Sequence, residues 1–312
     1  MSQAKIIEVD NRSAGQRIDN FLVRELKGVP KTRLYKAIRK GEVRVNGGRV
    51  KALYNLKTGD RVRIPPIRFS QSENDLVIPP RLKQQIPVLF EDDHLLVINK
   101  PSGIAVHGGT GQAFGIIDIF RDKQSDNFLE LAHRLDRGTS GCLILAKNRK
   151  ALLAVQQQLI NHQSIRKNYL CLVAGDPRWQ AKSVTLCLKV NPAGSQTTKK
   201  KVVTDPDGQA ARTDFQVDTR YGKYALLRAK LFTGRMHQVR VHTSSQGHPI
   251  IGDDLYGDFE KNREAKSMGL GRLFLHASDL KFKHPENDQE IEVHASLPGA
   301  LKTFLDNLDT AR

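Results

Sequence analysis

Apolar positions recur at three- and four-residue spacings in two short stretches near the start of the chain. Ile18, Phe21, Leu22 and Leu26 predict a first helix beginning at about Arg17. Pro30 ends any continuation, and Thr32 stands where an N-cap would open a second helix. In that helix Leu34, Ala37 and Ile38 form an apolar stripe, while Arg33, Lys36 and Lys40, at i, i+3 and i+7, fall on another face. Gly41 is placed to close it. Val43-Arg44-Val45 then alternates into Asn46-Gly47, a tight-hairpin signal, and Arg61-Val62-Arg63-Ile64 reads as a further strand ahead of Pro65-Pro66.

Residues 67–85 lose this periodicity and are rich in polar residues and proline, which predicts a linker. A new core opens at Val88, with two apolar runs separated by Asp92-Asp93-His94. Further apolar runs fall at 142–146, 169–174, 224–232 and 273–282, and one helical pattern stands out, Lys150 through Ile160. Many strands with few helices between them predict an α+β domain and argue against a doubly wound sheet. The expected organisation is therefore a small module over 1–66, a linker over 67–85 and a larger domain over 86–312.

Length and composition fit that division. A chain of 312 residues exceeds the usual single core, and 39% hydrophobic residues suffice to build one. No apolar run approaches the roughly 20 residues that span a bilayer, and the first residues lack the apolar stretch of a secretion signal. Cys142, Cys171 and Cys187 form no CxxC pair, which suits core thiols in a reducing compartment. The expectation is a cytoplasmic protein with no membrane partner, and nothing in the sequence asks for more than a monomer.

Charge changes the picture more. The net charge is +17, and residues 1–66 hold 16 Lys and Arg against 6 Asp and Glu, so 16 − 6 = +10 of it lies in about a fifth of the chain. Charge added only for solubility would be more even, so a polyanionic partner is expected, nucleic acid ahead of an anionic membrane surface. A basic helix face is most often ordinary solvated surface. Here two short helices, a basic face and the hairpin GEVRVNG together resemble the S4 RNA-binding module over about residues 15–66. That resemblance implies phosphate contacts from Arg33, Lys36 and Lys40, which position RNA without reading its sequence.

The segment His133-Arg134-Leu135-Asp136-Arg137-Gly138-Thr139-Ser140-Gly141 places an acid between two arginines, ahead of an apolar strand. Alone, such a carboxylate is more often a salt bridge than a catalyst. Ser140 lacks the G-x-S-x-G elbow of a hydrolase nucleophile. In Gly234-Arg235-Met236-His237-Gln238-Val239-Arg240-Val241-His242, a strand would put Arg240 and His242 on one face, whereas a helix would group His237, Arg240 and Val241. The spacing of His237 and His242 fits no common zinc pattern, so satisfied structural histidines are expected there. His107-Gly108-Gly109-Thr110-Gly111 lacks the full dinucleotide fingerprint and reads as a loop.

Taken in order, Glu91–His107 (EDDHLLVINKPSGIAVH), His133–Gly141, Lys167–Leu170 (KNYL), Gly234–His242, Gly247–Gly257 (GHPIIGDDLYG) and Leu275–Ala277 (LHA) resemble the RluA-type family of pseudouridine synthases over about 190 residues. Met236 departs from the threonine usual in that family, and a packing change is expected there. The resemblance implies a mixed, mainly antiparallel sheet and an isomerase acting on uridines of 23S ribosomal RNA or its large-subunit precursor. It implies no cofactor and no metal. It assigns Asp136 as the carboxylate at the sugar, acting at C1′ or assisting proton removal at C2′, with Arg240 as its ion-pair partner and Tyr169 stacked on the target base. Arg134 is implied as the wedge that fills the vacated stack or as a phosphate contact, and Lys167 as a structural or phosphate-binding residue. His107 and His276 are expected to be structural. A transfer-RNA synthase shares the same motifs, and a noncatalytic ribosome-assembly factor on the same fold is the reading from another class.

Overall fold

Both amino-terminal helices form where the apolar spacing puts them. The computed structural model describes residues 4–11, 13–26, 29, 31–66, 80–108, 114–121, 128–161, 164–191 and 201–310. These fall into two units, Met1–Val77 and Ile78–Arg312. In the first, β1 (Lys5–Glu8) precedes α1 (Ile18–Glu25) and α2 (Lys31–Arg39), followed by β2 (Arg44–Val45), β3 (Gly48–Arg49) and β4 (Arg61–Ile64). The strands pair in the order β1-β4-β2-β3. Ile18, Phe21 and Leu22 of α1 meet Leu34, Ala37 and Ile38 of α2 in one core with Val62 and Ile64. Because α2 already includes residue 31, Thr32 lies inside its first turn and is not the expected cap. The far end does close as expected: the Gly41 N–H donates to the Ile38 carbonyl and the Glu42 N–H to that of Ala37. Strand β1 has no counterpart in the sequence reading, since only Ile7 of its four residues is even partly buried.

The second unit opens with α3 (Pro80–Gln84), a short helix inside the stretch expected to be linker, where Leu82 packs partly against this unit's core. Then come β5 (Val88–Glu91), β6 (Leu95–Lys100), α4 (Ile116–Phe120), β7 (Glu130–Leu131), β8 (Ser140–Ala146), α5 (Arg149–Asn161), β9 (Arg166–Ala174) and β10 (Ala181–Asn191). They are followed by β11 (Lys201–Thr204), β12 (Gln209–Arg220), β13 (Tyr224–Leu231), α6 (Gln238–Ser245), α7 (Phe259–Ser267), β14 (Leu275–Lys283), β15 (Glu290–His294) and α8 (Gly299–Thr310). The described strands build one mixed sheet in the order β11-β10-β12-β13-β9-β14-β8-β6-β5, with β15 added on β14 and β7 on β8. Only the β8–β14 pairing among these is parallel.

Strands β6 and β8 are buried on both faces. Leu95, Val97, Cys142 and Ile144 enter one core cluster, and Leu96, Ile98, Leu143 and Leu145 enter another. That two-sided burial is why they read as continuous apolar runs without alternation. Strands β10 and β12, at 11 and 12 residues, escaped the sequence reading because much of each faces solvent through polar residues such as Lys182, Ser183, Thr185, Arg212, Gln216 and Asp218, which break up the apolar runs.

Candidate active site

The loop between β7 and β8 carries His133 to Thr139 and is fastened at both ends. His133 accepts a hydrogen bond from the Ile144 N–H through Nε2, and the Thr139 N–H donates to the Asp136 carbonyl. Burial pushes the His133 imidazole down to about 4, with the Lys167 charge adding to the effect, which keeps that acceptor nitrogen free. Gly141 follows where β14 crosses: its φ is +113°, and a Cβ there would lie 2.1 Å from the Ala277 carbonyl oxygen. No other residue allows that approach.

Beneath the loop, Lys100 is fully buried and donates to the carbonyls of Pro101 and Ile104 at 2.7 Å and of Arg137 at 3.4 Å. Its ammonium is pushed down to about 7, chiefly by burial and then by the Arg272 charge, with Asp136 opposing. Arg272 donates to the Gly138 carbonyl and to Ser140 Oγ, and Ser140 Oγ in turn bonds His276 Nδ1 at 2.9 Å. Because His276 Nε2 bonds the Ala295 carbonyl, it carries the ring proton, and Ser140 donates to Nδ1. Both side chains are wholly buried, so this serine–histidine pair is scaffolding, out of reach of any substrate.

The second side of the site comes from α6. The sequence left a strand or a helix open for residues 234–242; the chain turns at His237 (φ 55°) and runs helically from Gln238. Gln238 is buried and uses its whole side chain. Its amide nitrogen donates to the Arg212 carbonyl and Thr213 Oγ1, and its oxygen accepts from Thr233 Oγ1 and the Arg235 N–H. This pins the start of α6 to β12 and turns His237 and Arg240 the same way. His237 Nε2 then lies 3.8 Å, and Arg240 Nη1 3.6 Å, from Asp136 Oδ2, with the carboxylate about one-fifth exposed.

Two residues of the 247–257 segment orient that pair. Asp253 is buried and takes Arg240 bidentately, Nε and Nη2 each at 2.7 Å. It also accepts from the N–H groups of Leu255 and Tyr256. Burial works against both charges, yet the mutual bonds hold the Asp253 carboxyl below and the Arg240 guanidinium above their ordinary values. The Tyr256 hydroxyl accepts from the Val202 N–H at 2.7 Å and bonds His237 Nδ1 at 2.8 Å; the Asp136 carboxylate facing Nε2 favours the ring proton there, so the hydroxyl donates to Nδ1. His237 is thereby fixed as the neutral tautomer with Nε2–H toward Asp136. Burial lowers its pKa, with Asp136 opposing and the Arg240 charge adding to the lowering.

Tyr169, on β9, packs half-buried against two core clusters. Burial first and the Asp136 charge second raise its pKa, so it stays a neutral phenol. These groups amount to a carboxylate with two N–H donors and a flat aromatic surface nearby. Residues 94–245 match the RNA pseudouridylate synthase family and residues 16–62 match the S4 domain. A ribosomal large subunit pseudouridine synthase C from Escherichia coli K12 is 46% identical over 314 residues, covering 99% of this chain and 98% of that protein.

The chain belongs to the RNA pseudouridylate synthase family.

The protein of the same description from Haemophilus influenzae is 44% identical to this synthase, over 98% of this chain and 96% of the other. A solved structure, Human RNA Pseudouridylate Synthase Domain Containing 4, superposes with a TM-score of 0.59 at 27% identity, over 74% of this chain and 96% of that one. The synthase is an isomerase, and its α+β fold with an S4 unit in front is the one expected.

The structure brings together Asp136, Arg240 and, through its effect on the phenol, Tyr169. Arg134 is exposed in the same loop, with no carboxylate partner among the described residues. Arg33 pairs with Glu42 at 3.0 Å, while Lys36 and Lys40 are exposed. Of the two roles expected for Lys167, its surroundings favour the structural one. It is buried, donates to the Thr233 carbonyl at 3.3 Å, and is brought down to about 8 by burial and then by the Arg235 charge. The histidine expectation also divides: His237 is satisfied, but His242 is fully buried with neither ring nitrogen bonded. Met236 packs beside Leu188, Val202 and Tyr256. Among the described residues no three His, Cys, Asp or Glu side chains group to hold a metal, and no helix is long and apolar enough to cross a membrane. The glycine-rich stretch after His107 lies partly outside the described residues, at 109–113. Sequence reasoning gave no role to Lys100, Asp253, Tyr256 or Arg272. Lys100, Asp253 and Tyr256 sit inside quoted motifs, and Arg272 directly precedes the apolar run at 273–282, each a charged or phenolic residue beside a core segment, and that was the available signal.

Proposed function

We propose that this chain isomerises uridines of 23S ribosomal RNA to pseudouridine, with Asp136 as the carboxylate that acts at the sugar. The observation that carries the reading is the partly open Asp136 carboxylate faced by Arg240 Nη1 and His237 Nε2–H, on a loop held from beneath by Lys100. The relatives described as ribosomal large subunit synthases, and the basic S4 unit, support large-subunit ribosomal RNA as the substrate.

The reaction breaks N1–C1′, turns the uracil and joins C5 to C1′. C5 loses a proton and N1 gains one, so atoms balance without an oxidant, a reductant or water, and no cofactor is needed. A carboxylate must be ionised while the sugar carbon carries positive character. A guanidinium beside it favours that form against the desolvation of a closed site. Tyr169, neutral and flat, offers the surface on which the freed base turns. The target uridine must leave its stack first, at a cost of a few kcal/mol, and exposed Arg134 can occupy the vacancy with its planar guanidinium. The protein works as a cytoplasmic monomer on RNA, with no membrane partner.

Asp136→Asn tests the reading. Purified variant is expected to bind 23S RNA as the parent does and to form no pseudouridine when added back to RNA from a deletion strain. Pseudouridine formed at the parental rate would remove Asp136 from the chemistry.

A further inference from the structure

We propose that the S4 unit carries a pocket for one unpaired nucleobase, walled by the Tyr35 ring and rimmed by Arg39 and Arg49. The proposal rests on the reading that this unit binds RNA, and adds to it a contact with a base besides those with phosphates. A cavity of about 420 Å³ opens between the last turn of α2 and the segment that follows β3. Ile38, Val50 and Ala52 line it, Tyr35 walls it, and Arg39, Arg49 and Lys51 supply its charge.

Three observations favour a base as occupant. The tyrosine is exposed at 45% yet anchored, because its hydroxyl donates to Asp19 Oδ2 at 2.6 Å and Arg17 grips the same carboxylate. An aromatic ring ordered in advance beside an apolar floor suits stacking. The cations are uncommitted: Arg17, Arg24 and Arg33 of this unit each pair with a carboxylate, whereas Arg39, Arg49 and Lys51 have no such partner among the described residues. Finally, the backbone makes room for one of them. Gly41 has φ +70°, and a Cβ there would come within 2.5 Å of the Arg49 side chain, so the glycine that ends α2 also lets Arg49 lie across it. A phosphate alone has no use for the apolar floor, and an apolar peptide has none for three unpaired cations. A base flanked by its own phosphates uses both, and RNA offers such bases in loops and single strands, not within a duplex.

The test compares full-length protein binding to single-stranded oligouridine and to a blunt-ended, fully paired RNA duplex with the same number of phosphates. Tyr35→Ala is expected to weaken single-strand binding about 5- to 150-fold, to leave duplex binding within about twofold, and to leave the salt dependence of both unchanged. Tyr35→Phe loses the same bond to Asp19 but keeps the ring, and is expected to bind both RNAs like the parent. Equal losses for Ala and Phe, equal losses on both RNAs, or no loss for Ala would each overturn the pocket. Arg33→Gln, Lys36→Gln and Lys40→Gln combined separate this from the underlying reading. If that variant keeps its affinity and salt slope on both RNAs, the Arg33–Lys36–Lys40 face is ordinary solvated surface and the underlying reading fails there. If it loses both while Tyr35→Ala does nothing, only the base pocket fails.

Discussion

Asp253 holds Arg240 through both carboxylate oxygens at 2.7 Å, while Asp136 stands 3.6 Å from the same guanidinium. The family resemblance names Arg240 as the partner of Asp136, and the geometry adds a third member. A guanidinium presents its N–H groups in one rigid plane, so fixing Nε and Nη2 also fixes where Nη1 points. Asp253 thus decides which nitrogen is left for Asp136, and the longer contact leaves that carboxylate about one-fifth exposed.

Asp253→Asn is expected to keep the shape of the clamp and lose its charge. Arg240 would then be a buried cation with one bond in place of two, a change that costs about 3 kcal/mol of stability. With Nη1 no longer aimed, kcat should fall about 100-fold, the scale of a 1 Å misplacement. RNA affinity should hold, because Asp253 is buried away from any ligand. Denaturant melts, single-turnover pseudouridine formation and a binding isotherm check the three parts. A folded variant with parental kcat would show that Arg240 needs no help from Asp253.

Tyr256→Phe isolates the other orienting contact. The ring stays, and with it the packing of the Arg240 guanidinium 5.0 Å from the ring centre. The hydroxyl that fixes the His237 tautomer and satisfies the Val202 N–H is lost. One such bond contributes about 1 kcal/mol, so kcat is expected to drop about 5- to 10-fold with KM unchanged. The same loss appearing in KM alone would place Tyr256 in RNA binding and not in holding His237.

Much of this was legible in the residues. Strands β6 and β8 announced themselves because burial on both faces demands unbroken apolar runs. The asparagine-glycine hairpin and the glycine after α2 were set by backbone sterics that few residues satisfy. The Asp136 loop was visible as an acid between two arginines beside a core. Partner choice was not legible. Asp253 lies 13 positions beyond Arg240 with an equally acidic Asp254 beside it, and nothing local says which one folds inward. The surroundings of Lys167 and His242 were not legible for a related reason. Which groups a polar residue in a strand or helix meets depends on what packs against that element, and long-range packing supplies it.

His242 gives the fold a measurable weakness in acid. Burial alone pushes its imidazole down to about 4, and neither ring nitrogen has a hydrogen-bond partner. Between about pH 6.5 and pH 4 the unfolded chain therefore binds a proton at this site that the folded chain refuses. Stability should fall as the pH drops through that window, by about 2 kcal/mol from this residue between pH 6.5 and pH 5. By about pH 7.5 both states are neutral and the effect vanishes. His133, held down to about 4 as well, adds its own loss, so the wild type alone cannot assign the effect. His242→Leu can: it removes a buried group that bonds nothing, so it should cost little at pH 7. Urea melts of the two proteins should then diverge below pH 6.5, with the variant retaining the stability the parent loses. Parallel stability curves down to pH 5 would mean that His242 takes up its proton in the folded state.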